Sequence, residues 1–162
     1  MSCLSSAGMR RGVVAVIQRD DGRLLVVRRS ATVAAPLAYC FPGGAIEPGE
    51  TEQQALQREL FEELALRIVP IEQLWECVAP WGVYLSWWSA RLSYPHQTPS
   101  PNLSEVIEAR WLLLSEIWQL PGLLSTNRAF LKACSPRLES PKGIEIPGGN
   151  RGDSGHIGDT PP

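Results

Sequence analysis

The sequence predicts an α/β (α+β) fold in which a mixed β-sheet is covered by helices. Three observations predict it. Apolar, β-branched runs stand on both sides of an amphipathic helical stretch, a second helical stretch follows the last of them, and Gly, Pro and Asp separate the segments. At 162 residues and 17.8 kDa the chain is long enough to bury one substantial core.

Gly12–Gln18 and Arg23–Val27 are the first apolar runs, and the Asp-Gly between them is a hairpin signal, so the two are expected to pair as a ribbon. A loop with Pro36 leads to a short strand at Ala38–Phe41 and then to the turn-rich loop PGGAIEPGE. Thr51 followed by Gln54 fits a capping box, and Leu56, Leu60 and Leu64 form a buried stripe on the helix it starts. Pro70 bars further helix. Strands are expected around Leu74–Val78, Val83–Leu92 and Val106–Leu113, with a final helix over much of Leu123–Cys134. The domain is therefore drawn from 12 to 134, after an N-terminal lead of 1–11. Residues 135–162 contain six Gly and five Pro, a Gly/Pro content that predicts a disordered tail. Its Arg151-Gly152-Asp153 triplet is read as chance.

The formal net charge of −2 and pI near 5.7 leave no basic footprint for a nucleic-acid polymer. No apolar run approaches a membrane span, and residues 1–12 lack the apolar stretch of a secretory signal, so a soluble cytoplasmic protein is expected. Cys3, Cys40, Cys77 and Cys134 show no metal-binding or redox spacing and read as reduced thiols. With only His96 and His156 in the chain, carboxylates must carry any chemistry.

Three carboxylates are placed to do so. At about 100° per residue, Glu59, Glu62 and Glu63 fall within an arc of roughly 100° beside the leucine stripe, with small Ala55 one turn earlier. Like charges at this spacing repel on a helix, and a hard cation such as Mg2+ would offset the repulsion. From the helix alone, a solvated acidic face is the alternative. Gly43 and Gly44 in the preceding loop allow close backbone approach to a ligand and shift the balance toward coordination.

Gly44, then Glu50 after five residues, then Arg58-Glu59-Leu60-Phe61-Glu62-Glu63-Leu64-Ala65-Leu66 after seven more, closely resembles the signature of the Nudix hydrolases. One position departs, since Ala65 stands where the family has glycine. The resemblance spans about 12–134 and implies a Nudix-type α/β/α sandwich. It implies Mg2+-dependent attack of water on a diphosphate bond in a nucleoside diphosphate linked to another group, with Mn2+ as a substitute cation. Gly44 (through its carbonyl), Glu59, Glu62 and Glu63 are the implied metal ligands, and Glu59 is the candidate base. Arg58 and Glu50 are expected to pair and position it. A later-loop carboxylate is either Glu105 or Glu108. Arg28 and Arg29 are candidates to grip phosphate, and Trp81, between Pro80 and Gly82, is the preferred base-stacking residue. The implied partner is a small nucleotide; a homodimer is compatible with the sequence. A nucleotide-sensing module that keeps the fold without cleaving its ligand is the alternative function.

Overall fold

The computed structural model describes residues 8–139. In chain order the elements are β1 (Arg10–Ile17), β2 (Leu24–Arg29), β3 (Tyr39–Cys40), β4 (Gly43–Ala45), α1 (Glu52–Leu64), β5 (Ile68–Val78), β6 (Val83–Leu92), β7 (Val106–Leu112), α2 (Leu114–Trp118) and α3 (Ser125–Leu138). One sheet has the order β4-β1-β6-β5, with β1 and β6 parallel and the other pairs antiparallel. The second is antiparallel, in the order β3-β2-β7.

Period-2 alternation sorts the core. Val13, Ala15 and Ile17 of β1 face the α1 leucines, Leu56, Leu60 and Leu64, while Val14 and Val16 face Trp87, Phe130 and Leu131 on the α3 side. With helices on both faces, β1 is buried on both and reads as a continuous apolar run. The architecture is the expected α/β/α sandwich with a mixed sheet. Trp87 and Phe130 stack with centroids 4.4 Å apart on the α3 side.

Several expectations are corrected. β1 and β2 do not form a ribbon: after the single bridge between Gln18 and Leu24 they diverge into different sheets, because β1 pairs with β4 and β6 instead. The glycine-rich loop contains β4, where the backbone pairs with β1 so closely that a Cβ on Gly43 would overlap Val13 O. β5 begins at Ile68 and includes Pro70, which an edge strand tolerates. The short helix α2 has no sequence stripe long enough to reveal it.

The tail boundary at 135 cuts the last turn of α3. That turn continues to Leu138 because Leu138 is buried in the core and its carbonyl accepts from Gln18 Nε2 at 2.9 Å, which offsets the one i→i−4 bond that Pro136, lacking an N–H, cannot make two residues before the helix ends. The remainder of the tail expectation, including Arg151-Gly152-Asp153, lies outside the described residues.

Candidate active site

α1 starts as the sequence specifies. Thr51 accepts from the Gln54 N–H at 3.1 Å and Gln54 returns the contact to the Thr51 N–H at 3.0 Å, closing the capping box. Its other end is closed by Ala65, which adopts the left-handed conformation (φ 54°, ψ 29°) and donates to Phe61 O at 2.9 Å.

Arg58 organises the loop–helix junction. Its Nε and Nη2 donate to the two oxygens of Glu50 at 2.6 and 2.9 Å, a bidentate fork, and Nη2 also donates to Ala45 O at 2.9 Å. Nη1 reaches Glu59 at 2.9 Å and Glu62 at 3.2 Å. The Arg58 guanidinium holds the Glu50 carboxyl down to about 2, and the acidic partners raise the pKa of Arg58, Glu50 foremost. One side chain thus fixes both the loop and the orientation of Glu59.

Glu59, Glu63 and Glu105 each offer an oxygen within 4.8 Å of the others. Glu59 is 9% and Glu63 7% exposed. Burial raises the Glu59 carboxyl, against the opposing pull of Arg58. Burial first, then the charges of Glu59 and Glu105, push Glu63 up to about 8, with Arg29 and the Gly43 N–H opposing. Glu63 Oε2 is buried without a hydrogen-bond partner. Such a group is costly unless neutralised, by a proton or by a cation. Gly44 lies directly against Glu59, where a Cβ would overlap the carboxylate. Three converging carboxylates, one orphaned, are the donor chemistry of a hard divalent cation, and these residues fit one.

Glu105 is delivered by the loop before β7. The Asn102 N–H donates to Glu63 O and the Ser100 N–H to Leu64 O, both at 2.8 Å, tying that loop to the end of α1. Buried Ser30 braces it from the other side: its N–H donates to Glu105 O and its Oγ to Ser104 O, both at 2.9 Å. Sequence reasoning missed Ser30, Ser100 and Asn102, because backbone contacts across long separations leave no local signal.

The other expected site residues are spread more widely. Glu62 lies on the same helix face, but its side chain is 49% exposed and turned to Arg58. Glu108 pairs with Arg110 at 3.3 Å and lies at the edge of hydrogen-bond reach of Tyr39 Oη, 3.5 Å, away from the carboxylate group. Arg29 lines the cleft beside Glu63 and Glu105, whereas Arg28 covers the Tyr39 ring at 5.3 Å. Trp81 is 51% exposed in the β5–β6 turn and does not line the cleft. Cys40 does line it, as a thiol that burial pushes up to about 11.

The glycine loop and the acidic helix of this α/β/α sandwich converge on one group of carboxylates. The chain belongs to the NUDIX domain family, whose model matches residues 8–134. It is 36% identical over 134 residues to an RNA pyrophosphohydrolase of Saccharophagus degradans, covering 82% of this chain and 69% of that one. The CTP pyrophosphohydrolase of Escherichia coli is 44% identical over 54 residues, 33% of this chain and 40% of that one, so here the match spans less than half of the relative. Among solved structures, the MutT protein of Methanosarcina mazei superposes with a TM-score of 0.69 at 22% identity, over 81% of this chain and 96% of that one; at this identity the likeness is one of fold. Among the described residues no helix is long and apolar enough to cross a membrane.

Proposed function

We propose that the chain hydrolyses a diphosphate bond in a nucleoside diphosphate linked to another group, including nucleoside triphosphates, with Mg2+ and with Mn2+ as a substitute. The observation that carries this reading is the carboxylate group of buried Glu59 and Glu63 with half-buried Glu105, and its orphaned oxygen on Glu63. Glu63, Glu59 and Glu105 would hold the cation, joined by Glu62 and the Gly44 carbonyl. When bound, the cation supplies Lewis acidity toward phosphate oxygens and a more acidic water.

The chain's own residues do the rest. A new water oxygen–phosphorus bond forms as the phosphoanhydride P–O bond breaks, the water proton passes to a Glu59 oxygen, and the leaving phosphate carries away the bonding pair. Burial raises the proton affinity of Glu59, which suits a base. Arg58 holds that carboxylate in one orientation while Glu50 occupies the fork of Arg58, so both are positioning residues.

The names of the relatives in the family support pyrophosphate chemistry and widen the substrate list to RNA. The test is product release from a panel of nucleoside triphosphates, oxidised dNTPs, ADP-ribose, nucleotide sugars, diadenosine polyphosphates and an RNA with a 5′-triphosphate, with and without Mg2+. Metal-dependent cleavage of at least one compound is expected. Nucleotide binding without turnover across the panel would replace this reading with the sensing module.

A further inference from the structure

A sheet edge is a row of backbone N–H and C=O groups that can bond a further strand unless it is short, broken or covered. Two sheets of order β4-β1-β6-β5 and β3-β2-β7 present four such edges. Three of them are short, broken or covered. β4 has three residues, and Arg58 Nη2 donates to Ala45 O at 2.9 Å. β3 has two, and both Tyr39 backbone groups are taken: its N–H donates to Gly122 O at 3.1 Å and its carbonyl accepts from the Leu124 N–H at 3.0 Å. β5 is long but contains Pro70, which has no N–H to offer, and shifts register twice against β6. Arg137 Nη1 also reaches Leu74 O on it at 3.4 Å.

β7 lacks each of these devices. Val106–Leu112 holds seven residues with neither Pro nor Gly. Its one irregularity lies at its start, where Ile107 has no partner on β2; from Glu108 to Leu112 the strand pairs with β2 in unbroken register. Among the described residues, nothing but β2 bonds to the backbone groups of 107–112. Backbone groups alternate between the two sides of an antiparallel strand, so those on the outer side of β7 have no partner in the single chain.

The side chains select the occupant. Like charges on an edge repel a second copy of the same strand. β7 instead carries one acid and one base on the same face, Glu108 and Arg110, with side chains 37% and 46% exposed. Laid antiparallel on itself about Ala109, the strand sets Glu108 opposite the second copy's Arg110, and Arg110 opposite the second copy's Glu108. The same register sets Trp111 opposite the second copy's Ile107, an apolar side chain that is 40% exposed. Centring the pair on Glu108 or on Arg110 would set like charges face to face, so a single two-fold register is selected.

We infer that β7 is an association edge that takes a second copy of this chain, joining two β3-β2-β7 sheets into one six-stranded antiparallel sheet. Seven residues at about 3.4 Å each span roughly 24 Å. The contact therefore belongs with the small interfaces, below about 1,200 Å² in total, and the dimer is reversible and concentration-dependent. Glu105 immediately precedes β7, so pairing here also holds the strand that delivers this carboxylate to Glu59 and Glu63.

Sedimentation equilibrium of the full chain from about 1 to 500 µM tests the association. The mean mass should rise from that of one chain toward that of two. Glu108→Arg and Arg110→Glu each set like charges opposite one another and should weaken the dimer at least about tenfold. The two changes together restore opposite charges and should return affinity to within about threefold of the original. Both side chains are exposed, so each variant should stay folded, which thermal melting checks. In the unaltered chain, amide hydrogen exchange at the two ends of the concentration range should show added protection on β7. A single-chain mass throughout, a dimer indifferent to both single changes, a swap that fails to restore it, or protection gained on β5 and not on β7 would overturn the inference.

Discussion

The two ends of α1 carry the same side chain in opposite states. At the first turn, Glu52 accepts from Arg11 Nη2 at 2.6 Å, Ser86 Oγ at 2.7 Å and Trp88 Nε1 at 2.8 Å, so β1 and β6 supply every donor it needs. At the last turn, Glu63 has one oxygen with no partner and two other carboxylates for neighbours. The first arrangement is complete without a ligand and pins the helix to the sheet. The second is complete only when positive charge arrives from outside the chain. Burial alone does not separate structural from functional carboxylates; the supply of donors does.

The sharpest break of this comparison is in turnover. Glu59→Gln should lower kcat by about 10²–10⁴-fold at saturating Mg2+, the range for loss of a general base, while Glu52→Gln should leave kcat within about twofold per folded molecule. Glu63→Gln should cost more than Glu62→Gln, since Glu63 is buried in the carboxylate group and Glu62 is half exposed on its margin. Steady-state kinetics on the four variants would decide it. Equal losses in Glu52→Gln and Glu59→Gln would erase the distinction between the two ends.

In stability the order reverses. Glu52→Ala takes the acceptor from the buried Ser86 hydroxyl and leaves the Trp88 N–H only its longer contact to Ser86 Oγ at 3.1 Å, and should destabilise by about 1–3 kcal/mol in urea unfolding. Glu63→Gln should not destabilise the metal-free protein, because it removes a buried carboxylate crowded by its own kind.

Acidity sharpens the same contrast. Glu63 has a folded pKa raised from 4.5 to about 8, so its contribution to stability is fully present below pH 4.5 and is lost as pH rises through about 8. Glu50 is lowered from 4.5 to about 2, so its contribution is present above pH 4.5 and is lost as pH falls through about 2. Metal-free protein should therefore melt at a lower temperature at pH 9 than at pH 6. Saturating Mg2+ should narrow that gap, since cation binding favours the ionised carboxylates and stabilises by mass action. A melting temperature that is flat between these pH values without metal would show that Glu63 finds a partner in solution.

How much of this was legible in the sequence follows the range of each interaction. Thr51 and Gln54, the leucine stripe, the Arg58–Glu50 pair and the acidic arc all depend on spacings of eight residues or fewer, and each appears where the sequence puts it. The divergence of β1 from β2, the placing of Glu105 rather than Glu108 beside Glu59 and Glu63, and the bracing by Ser30 depend on partners far along the chain. A β-bulge also intervenes between Arg28 and Arg29, where β2 pairs with Glu108 and then Val106, so counting along β7 does not reveal which carboxylate reaches the site.

The smallest expected effect lies at Ala65, the one departure from the signature. Its left-handed backbone costs an L-residue about 1–2 kcal/mol, and glycine would remove that strain while gaining freedom in the unfolded chain that opposes it. The net gain from Ala65→Gly should be about 0.5–1 kcal/mol in unfolding free energy, with kcat unchanged. Constancy of kcat is expected because Ala65 touches none of the carboxylates, while its N–H bond to Phe61 O survives the substitution. A stabilised variant with reduced turnover would mean that strain at the end of α1 helps to set Glu63, which lies two residues before Ala65 and accepts through its carbonyl from the Asn102 N–H in the loop of Glu105.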